Sequence, residues 1–427
     1  LRSPYIQTWN LSWQRELDRD TILELRYVGT KGTKLVRTAN LNEINIIENG
    51  LRDDLNGLRE ELLRSGDPLG FTPLRFPNPT GPLARIFRTP GRFLNIFGAR
   101  NDLLLGNYVL IAFNIDRQVF QGMSGGWLAV AGLPVNFISA NPQFASVLYM
   151  SNFSNSTYHA AQVEVRRRFA RGLQFQANYT FSRALGDGTD EGMNQFAFSS
   201  NFRTNRDRRI EKRRLVFDRE HVLKVNAIYE LPVGPGRRFL ARPRGWLSQL
   251  LEGWQVAGIF LVYSGAPRTF SAGRFTLFGA GGLNVVPPNP APGFEIRGFS
   301  GTVTRLPDGV TFLPGVANPF QDPFGFNRMV VDKSGRAILL TPEPGTAGTL
   351  GAGTFTDPGQ VYFDGSLLKR TRMAEHWILE FRAEFFNLFN TVNFGGPDLN
   401  IQSPSFGRIS AQVNSPRVIQ FALRVSF

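Results

Sequence analysis

The chain has 427 residues, no Cys, and 48 basic against 34 acidic residues, for a net charge of +14. Without Cys it has neither a disulfide framework nor a thiolate metal site. No segment reaches the roughly 18 uninterrupted apolar residues of a membrane-spanning helix; the longest run, Leu103 to Phe113, is broken by Gly106 and Asn107.

The basic excess raises nucleic acid as a partner. The basic residues are scattered, however, and the aromatics sit at strand spacing instead of beside them, so the reading is no nucleic acid and a phosphate-bearing lipid surface as the anionic neighbour. Aromatics make up 12%, with 38 Phe, 44 Gly and 27 Pro, a mixture of strand and turn formers that points to an all-β chain. Helical periodicity is scarce, and Leu51 to Arg64, about four turns, is its best candidate. The first residue is Leu1, with no basic or apolar leader before the strand pattern at Tyr5, so the sequence reads as an N-terminally truncated chain.

In chain order, Tyr5 to Gln14 places Tyr5, Trp9, Leu11 and Trp13 on one face and Thr8, Asn10, Ser12 and Gln14 on the other. Thr21 to Val28 and Tyr158 to Phe169 follow. In Leu173 to Ser182, Leu173, Phe175, Ala177, Tyr179 and Phe181 oppose Gln174, Gln176, Asn178, Thr180 and Ser182. Then come His221 to Leu231, Trp254 to Ser264 and Val361 to Leu368. In Trp377 to Phe386, Leu379, Phe381, Ala383 and Phe385 oppose Glu380, Arg382 and Glu384, and Val418 to Phe427 closes the series. Alternation alone fits a soluble sandwich as well as a membrane barrel, whose strands need only about 10 residues each.

The links discriminate. Glu16 to Asp20, Ala170 to Gly172 and Lys369 to His376 are short, and Pro232 to Gly253 falls on their side, whereas long loops are expected over about 37–157, 183–220 and 265–360 and after Asn387. Compact soluble domains rarely hold loops beyond about 15 residues, while outer-membrane barrels place short turns in the periplasm and long loops outside. If the last strand ends in the periplasm, Trp13, Phe169, Trp254, Trp377 and Phe427 fall near the periplasmic boundary, and Tyr5, Tyr27, Tyr158, Tyr179 and Tyr263 near the outer one. The girdle tryptophans are then Trp9, Trp13, Trp254 and Trp377. Phe71 to Pro90 and Ala272 to Gly353 are rich in Gly, Pro and Phe and read as loops packed over a barrel mouth, with Phe275, Phe278, Phe294 and Phe299 as candidate ligand-facing side chains.

Catalytic constellations are missing. His159, His221 and His376 lie far apart without metal or triad spacing, and Gly279-Ala-Gly-Gly282 lacks the Lys and the following helix of a phosphate loop. The expectation is no enzyme, no metal and no cofactor. Asp187, Asp190 and Glu191 read more readily as a solvated turn than as a cation site. The run Arg203, Arg206, Arg208, Arg209, Lys212, Arg213 and Arg214 suits an anionic ligand or lipid phosphates, but Asp207, Glu211 and Asp218 interrupt it, which favours a self-neutralised loop.

The chain ends with Ile419, Phe421, Leu423, Val425 and Phe427 on one face. This ending looks like the signal by which the outer-membrane barrel assembly machinery selects its substrates, with Leu423, Val425 and Phe427 carrying it. Tyr27-Val-Gly-Thr-Lys-Gly32, Tyr158 to Arg168, Ala177-Asn-Tyr-Thr-Phe-Ser-Arg-Ala-Leu185, Gly253-Trp-Gln-Val-Ala-Gly258, Ser264-Gly-Ala-Pro267 and Glu380-Phe-Arg-Ala-Glu-Phe-Phe-Asn-Leu-Phe-Asn390 together resemble TonB-dependent receptors of the Oar-like branch. The likeness covers most strand regions and neither of the two longest loops; Asn387-Leu-Phe-Asn390 is its most specific element.

The resemblance implies the C-terminal part of an antiparallel transmembrane β-barrel in the bacterial outer membrane, with nine or more strands of about 22, the plug, TonB box and N-terminal module lying outside this sequence. It further implies energised uptake of a scarce nutrient, such as a siderophore, cofactor, oligosaccharide or peptide. The implied partners are outer-membrane lipid and lipopolysaccharide, the assembly machinery, an imported ligand, and the TonB complex acting through the N-terminal part. A passive porin stays open, because Gln174, Gln176 and Asn178 suit any aqueous lumen, as does a surface-binding adhesion barrel using Ala272 to Gly353.

Overall fold

A computed structural model describes the chain except for residues 1, 69–72, 97, 118, 121–122, 125, 145, 189–201, 241–244, 278–284, 298 and 374–376. Nine long strands form the wall: β1 (Tyr5–Glu16), β2 (Thr21–Asn40), β3 (Leu148–Ala170), β4 (Leu173–Gly186), β5 (His221–Glu230), β6 (Trp254–Tyr263), β7 (Gln360–Arg372), β8 (Ile378–Phe386) and β9 (Val418–Ser426). Each pairs antiparallel with the next in sequence, so sheet order is chain order. The sheet is open among the described residues, and its edges β1 and β9 are exposed along their whole length.

All nine alternating segments become strands. β2 and β3 run farthest beyond their alternation, because irregularities in the β2–β3 pairing between Gly32 and Arg37 break the two-residue period there. Lys34, at φ 57°, lies within that irregular stretch. The pairing is also staggered. One row runs Trp13, Leu25, Val163, Tyr179, Leu223, Val262, Val361, starting near the turn end of β1 and reaching the loop end of β7. Such a stagger is what inclines strands to a barrel axis.

Register separates two chemically distinct faces. Phe175, Ala227, Gly258, Gly365, Phe385 and Ile419 share a row on the apolar face. Directly beside it on the other face, Gln176 pairs with Asn226, and Glu384 pairs with Ser366 and Gln420. Tyr158 and Tyr263 contradict the outer aromatic belt. Tyr158 lies opposite Thr30 and Ala184, and Tyr263 opposite Val222, which turns both onto the polar face. Tyr5, Tyr27 and Tyr179 stay on the apolar side.

The all-β expectation fails in the β2–β3 link. That link folds into α1 (Leu51–Arg64), α2 (Pro82–Phe87), α3 (Pro90–Leu94), α4 (Ala99–Leu105), α5 (Tyr108–Arg117) and α6 (Gly126–Val130), and α7 (Trp246–Leu251) lies between β5 and β6. Helix α1 buries Leu51, Leu55, Leu58 and Leu62 along one stripe and carries Asp53 and Asp54 in its first turn, where the helix dipole favours negative charge. With Phe87, Phe93, Leu104 and Tyr108 these leucines form a core separate from the sheet.

A second core gathers the β6–β7 and β8–β9 links. Phe270, Phe312, Leu339 and Phe355 pack with Ile401 and Ile409, and a short hairpin, Thr304–Leu306 with Gly309–Thr311, pairs onto Arg408–Ile409. Long links thus meet at one end of the sheet as folded modules, and short turns lie at the other.

Candidate functional site

One polar part of the wall is built by β3, β4 and β5. Gln162 stands opposite Thr180, and Asn178 opposite Lys224. Gln176 donates to Glu164 at 2.9 Å, and the Thr180 hydroxyl to Asn178 at 3.2 Å. Above them the segment Phe217 to Arg219 overhangs, closing a cavity of about 350 Å³ with Tyr158 and Ser182. The overhang is fixed. Ser182 donates to the Arg219 carbonyl at 2.9 Å, while the Asp218 carboxylate accepts the Ala184 N–H at 2.8 Å and pairs with Arg214 at 2.8 Å. Farther along, the Tyr263 and Tyr362 hydroxyls both donate to Gln360, at 2.6 and 2.7 Å. Amides, hydroxyls and one ammonium in this arrangement can hydrogen-bond a polar solute.

At the mouth, Phe294 and Phe299 make an edge contact at 5.6 Å, and Phe299 also packs on Phe270 and Phe355. Their remaining surface lines a cavity of about 450 Å³ together with Pro314, Lys333 and Arg336. Asp332 pairs with Arg336 at 3.6 Å, and its bond from the Ser334 hydroxyl leads the effects that hold its carboxyl below the usual range. Phe275 has a different place. Its N–H donates to Asn107 at 3.1 Å and its carbonyl accepts from Val109 at 3.2 Å, stapling the two loop modules together. Phe278 and the run Gly279 to Gly282 lie outside the described residues.

Four cations of the basic run, Arg203, Arg206, Arg209 and Arg214, pair with carboxylates of the protein. Arg206 pairs with Glu43 at 2.7 Å and Glu48 at 2.9 Å, Arg203 with Glu211 at 3.3 Å, and Arg209 with Asp207 at 2.9 Å. Arg208 lies over the Phe153 ring at 4.0 Å. Glu211 also meets the buried Arg37 at 3.4 Å, a pair 174 positions apart that no local pattern signals. Asp187 accepts from the Ser154 hydroxyl and from the Asn155 N–H at 3.0 Å, whereas Asp190 and Glu191 lie outside the described residues. Among the described residues no three metal-ligating side chains cluster.

His159 and His221 each have a tyrosine partner: the Tyr27 and Tyr179 hydroxyls lie 2.7 Å from their Nδ1 atoms. His376 is outside the described residues. Of the girdle tryptophans, Trp13 pairs with Leu25, and the Trp9 indole lies so closely over Gly29 that a Cβ there would overlap it. The Trp254 indole N–H donates to the Leu250 carbonyl at 2.8 Å, with the Lys369 ammonium 5.1 Å from its ring. Trp377 stacks on Phe427 at 5.3 Å, while Leu423 and Val425 face Phe381 and Leu379.

A staggered antiparallel wall with one apolar and one polar face, short turns at one end and folded loops at the other, defines an outer-membrane β-barrel wall. The sequence matches the family model "Outer membrane beta barrel domain" over residues 1–420, and the chain belongs to that family. It is a protein of the outer membrane. Among solved structures it is similar to the outer membrane transporter YddB of Escherichia coli, at 7% identity and a TM-score of 0.39, covering 100% of this chain and 33% of that one. It is also similar to the ferripyoverdine receptor of Pseudomonas aeruginosa, at 9% identity and a TM-score of 0.34, covering 99% and 27%. A third likeness is to the ferric-catecholate import receptor Fiu of E. coli, at 10% identity and a TM-score of 0.19, covering 99% and 54%. The chain thus spans about a third of the first of these proteins. No curated protein sequence matches it.

Proposed function

We propose that this wall belongs to a TonB-dependent receptor of about 22 strands, which captures a scarce nutrient at the loop modules and imports it through the lumen with energy from the TonB complex. The observation that supports this most directly is the mouth. The β2–β3 link folds around one buried core, the β6–β7 and β8–β9 links share a second, and the β6–β7 link lines the Phe294 and Phe299 cavity. A passive pore needs an open path, while a receptor needs a shaped surface that holds its ligand first. The nutrient class stays open between siderophore, cofactor, oligosaccharide and peptide. The test is uptake by cells expressing the full-length protein, with and without a protonophore and with residues 272–353 deleted. Energised import predicts that both treatments abolish uptake above background while the barrel still assembles; uptake that survives the protonophore identifies a passive porin.

A further inference from the structure

Two of the stretches that carry the family likeness, Gly253 to Gly258 and Glu380 to Asn390, meet on the apolar face at a feature neither explains alone. Across β5, β6 and β7 the row Ala227, Gly258, Gly365 is nearly devoid of side chains. The adjacent rows are large: Phe260 and Phe363 on one side, Tyr229 and Leu367 on the other. Phe385 and Leu388 close the β8 end, and the enclosed groove measures about 440 Å³ with almost wholly apolar walls. Leu388 is held there because its N–H donates to the Phe363 carbonyl at 2.8 Å. Just beyond it, the exposed Arg417 approaches the Leu388 carbonyl at 3.5 Å, setting a cation at the groove's lip.

We infer that this groove is a built site for one acyl chain of a phosphate-bearing membrane lipid, its phosphate at Arg417. Two observations choose that occupant. The groove is continuous with the apolar face that an outer-membrane barrel turns to lipid, so hydrocarbon reaches it without displacing water. Arg417 sets a cation at the end nearest the loops, which matches an anionic headgroup above a buried chain. A void left empty there would forfeit dispersion contacts along its whole lining.

The test uses the full chain extracted from membranes, delipidated, and offered phosphatidylglycerol or diacylglycerol before native mass spectrometry. Gly258→Leu fills the groove from its floor, where a Cβ has its nearest neighbour at 3.4 Å and is accommodated. The expected result is one tightly retained phosphatidylglycerol on the wild type, none on Gly258→Leu, weaker retention on Arg417→Ala, and little retained diacylglycerol. Leu388→Ala, which opens the lip, should release the lipid faster, and circular dichroism reports whether each variant keeps its strands. Equal retention by the wild type and a folded Gly258→Leu would overturn the site. So would diacylglycerol held as well as phosphatidylglycerol, or a dimer that Gly258→Leu dissolves, which would make a second copy the occupant.

Discussion

Asn387 shows why a short motif can be structurally demanding. Asn387 and Asn390 both adopt left-handed backbone, at φ 53° and 51°, a region that costs most side chains about 1 to 2 kcal/mol and that Asn tolerates. The Asn387 side chain accepts the Thr391 N–H at 2.8 Å and donates to the Thr391 and Ser415 carbonyls at 3.0 Å, while Asn390 accepts the Arg417 N–H at 3.0 Å. Asn387→Ala should therefore destabilise the β8–β9 connection by about 2 to 4 kcal/mol, from strain plus hydrogen bonds worth about 1 kcal/mol each, and Asn387→Gly should recover only the strain. Urea titration in detergent measures both; equal losses would show that backbone conformation is not part of the cost. Asp54 carries a pH prediction. Its burial raises its pKa, despite bonds from the Leu83 N–H and Asn78 amide at 3.0 Å each. A carboxyl whose folded pKa lies above its unfolded value stabilises most when protonated, so its contribution is present below about pH 4 and is lost as pH rises through the higher folded pKa. Exchange protection in α1, corrected for intrinsic rate, should fall across that window in the wild type and stay flatter in Asp54→Asn.

The strands are where face identity becomes an energy. Phe175→Arg or Leu423→Arg puts a cation on the apolar face and should cost about 2 to 4 kcal/mol near the bilayer midplane, whereas Gln176→Arg on the polar face should be mild. Folding titrations of the full-length protein in lipid decide it, and similar costs at both faces would remove the membrane wall from the account. The strands were legible because a two-residue period repeated nine times leaves a trace even when single residues break it. The helices were not. Only α1 is long enough to display a stripe, while α2 to α6 span 5 to 10 residues each, too few turns for a period to stand out from a Phe-rich loop. The Gly106 and Asn107 that interrupt the longest apolar run are the break between α4 and α5: Gly106 sits at φ 76° as the C-cap of α4. Tyr158 and Tyr263 were misplaced for a simpler reason. Distance from a turn gives depth in the membrane, but only register gives the face. Among candidate site residues, the aromatic lining of Phe294 and Phe299 was visible from composition, while Lys333, Arg336 and the buried Arg37–Glu211 pair depend on loop folding that separations of tens to hundreds of residues conceal.

On the scale of the whole molecule, stability is spread over a long sheet, and this separates folding from delivery to the membrane. Phe427 is 88% exposed and touches the rest of the wall through Trp377. Even full burial of such a ring is worth only about 1.5 to 3 kcal/mol, so its removal leaves eight interstrand pairings intact. Among the described residues β9 pairs with β8, and its apolar row Ile419, Phe421, Leu423, Val425 continues to Phe427. A strand with such a row is suited to strand addition on an assembly factor. We expect the full-length protein lacking Phe427 to refold in detergent with wild-type strand content, yet to accumulate in the periplasm or be degraded in cells. Fractionation of outer membranes against periplasm, set beside refolding of the purified protein, separates the two roles. Wild-type outer-membrane levels would make Phe427 a stacking partner of Trp377 and nothing more, whereas failure in both assays would make it part of the fold.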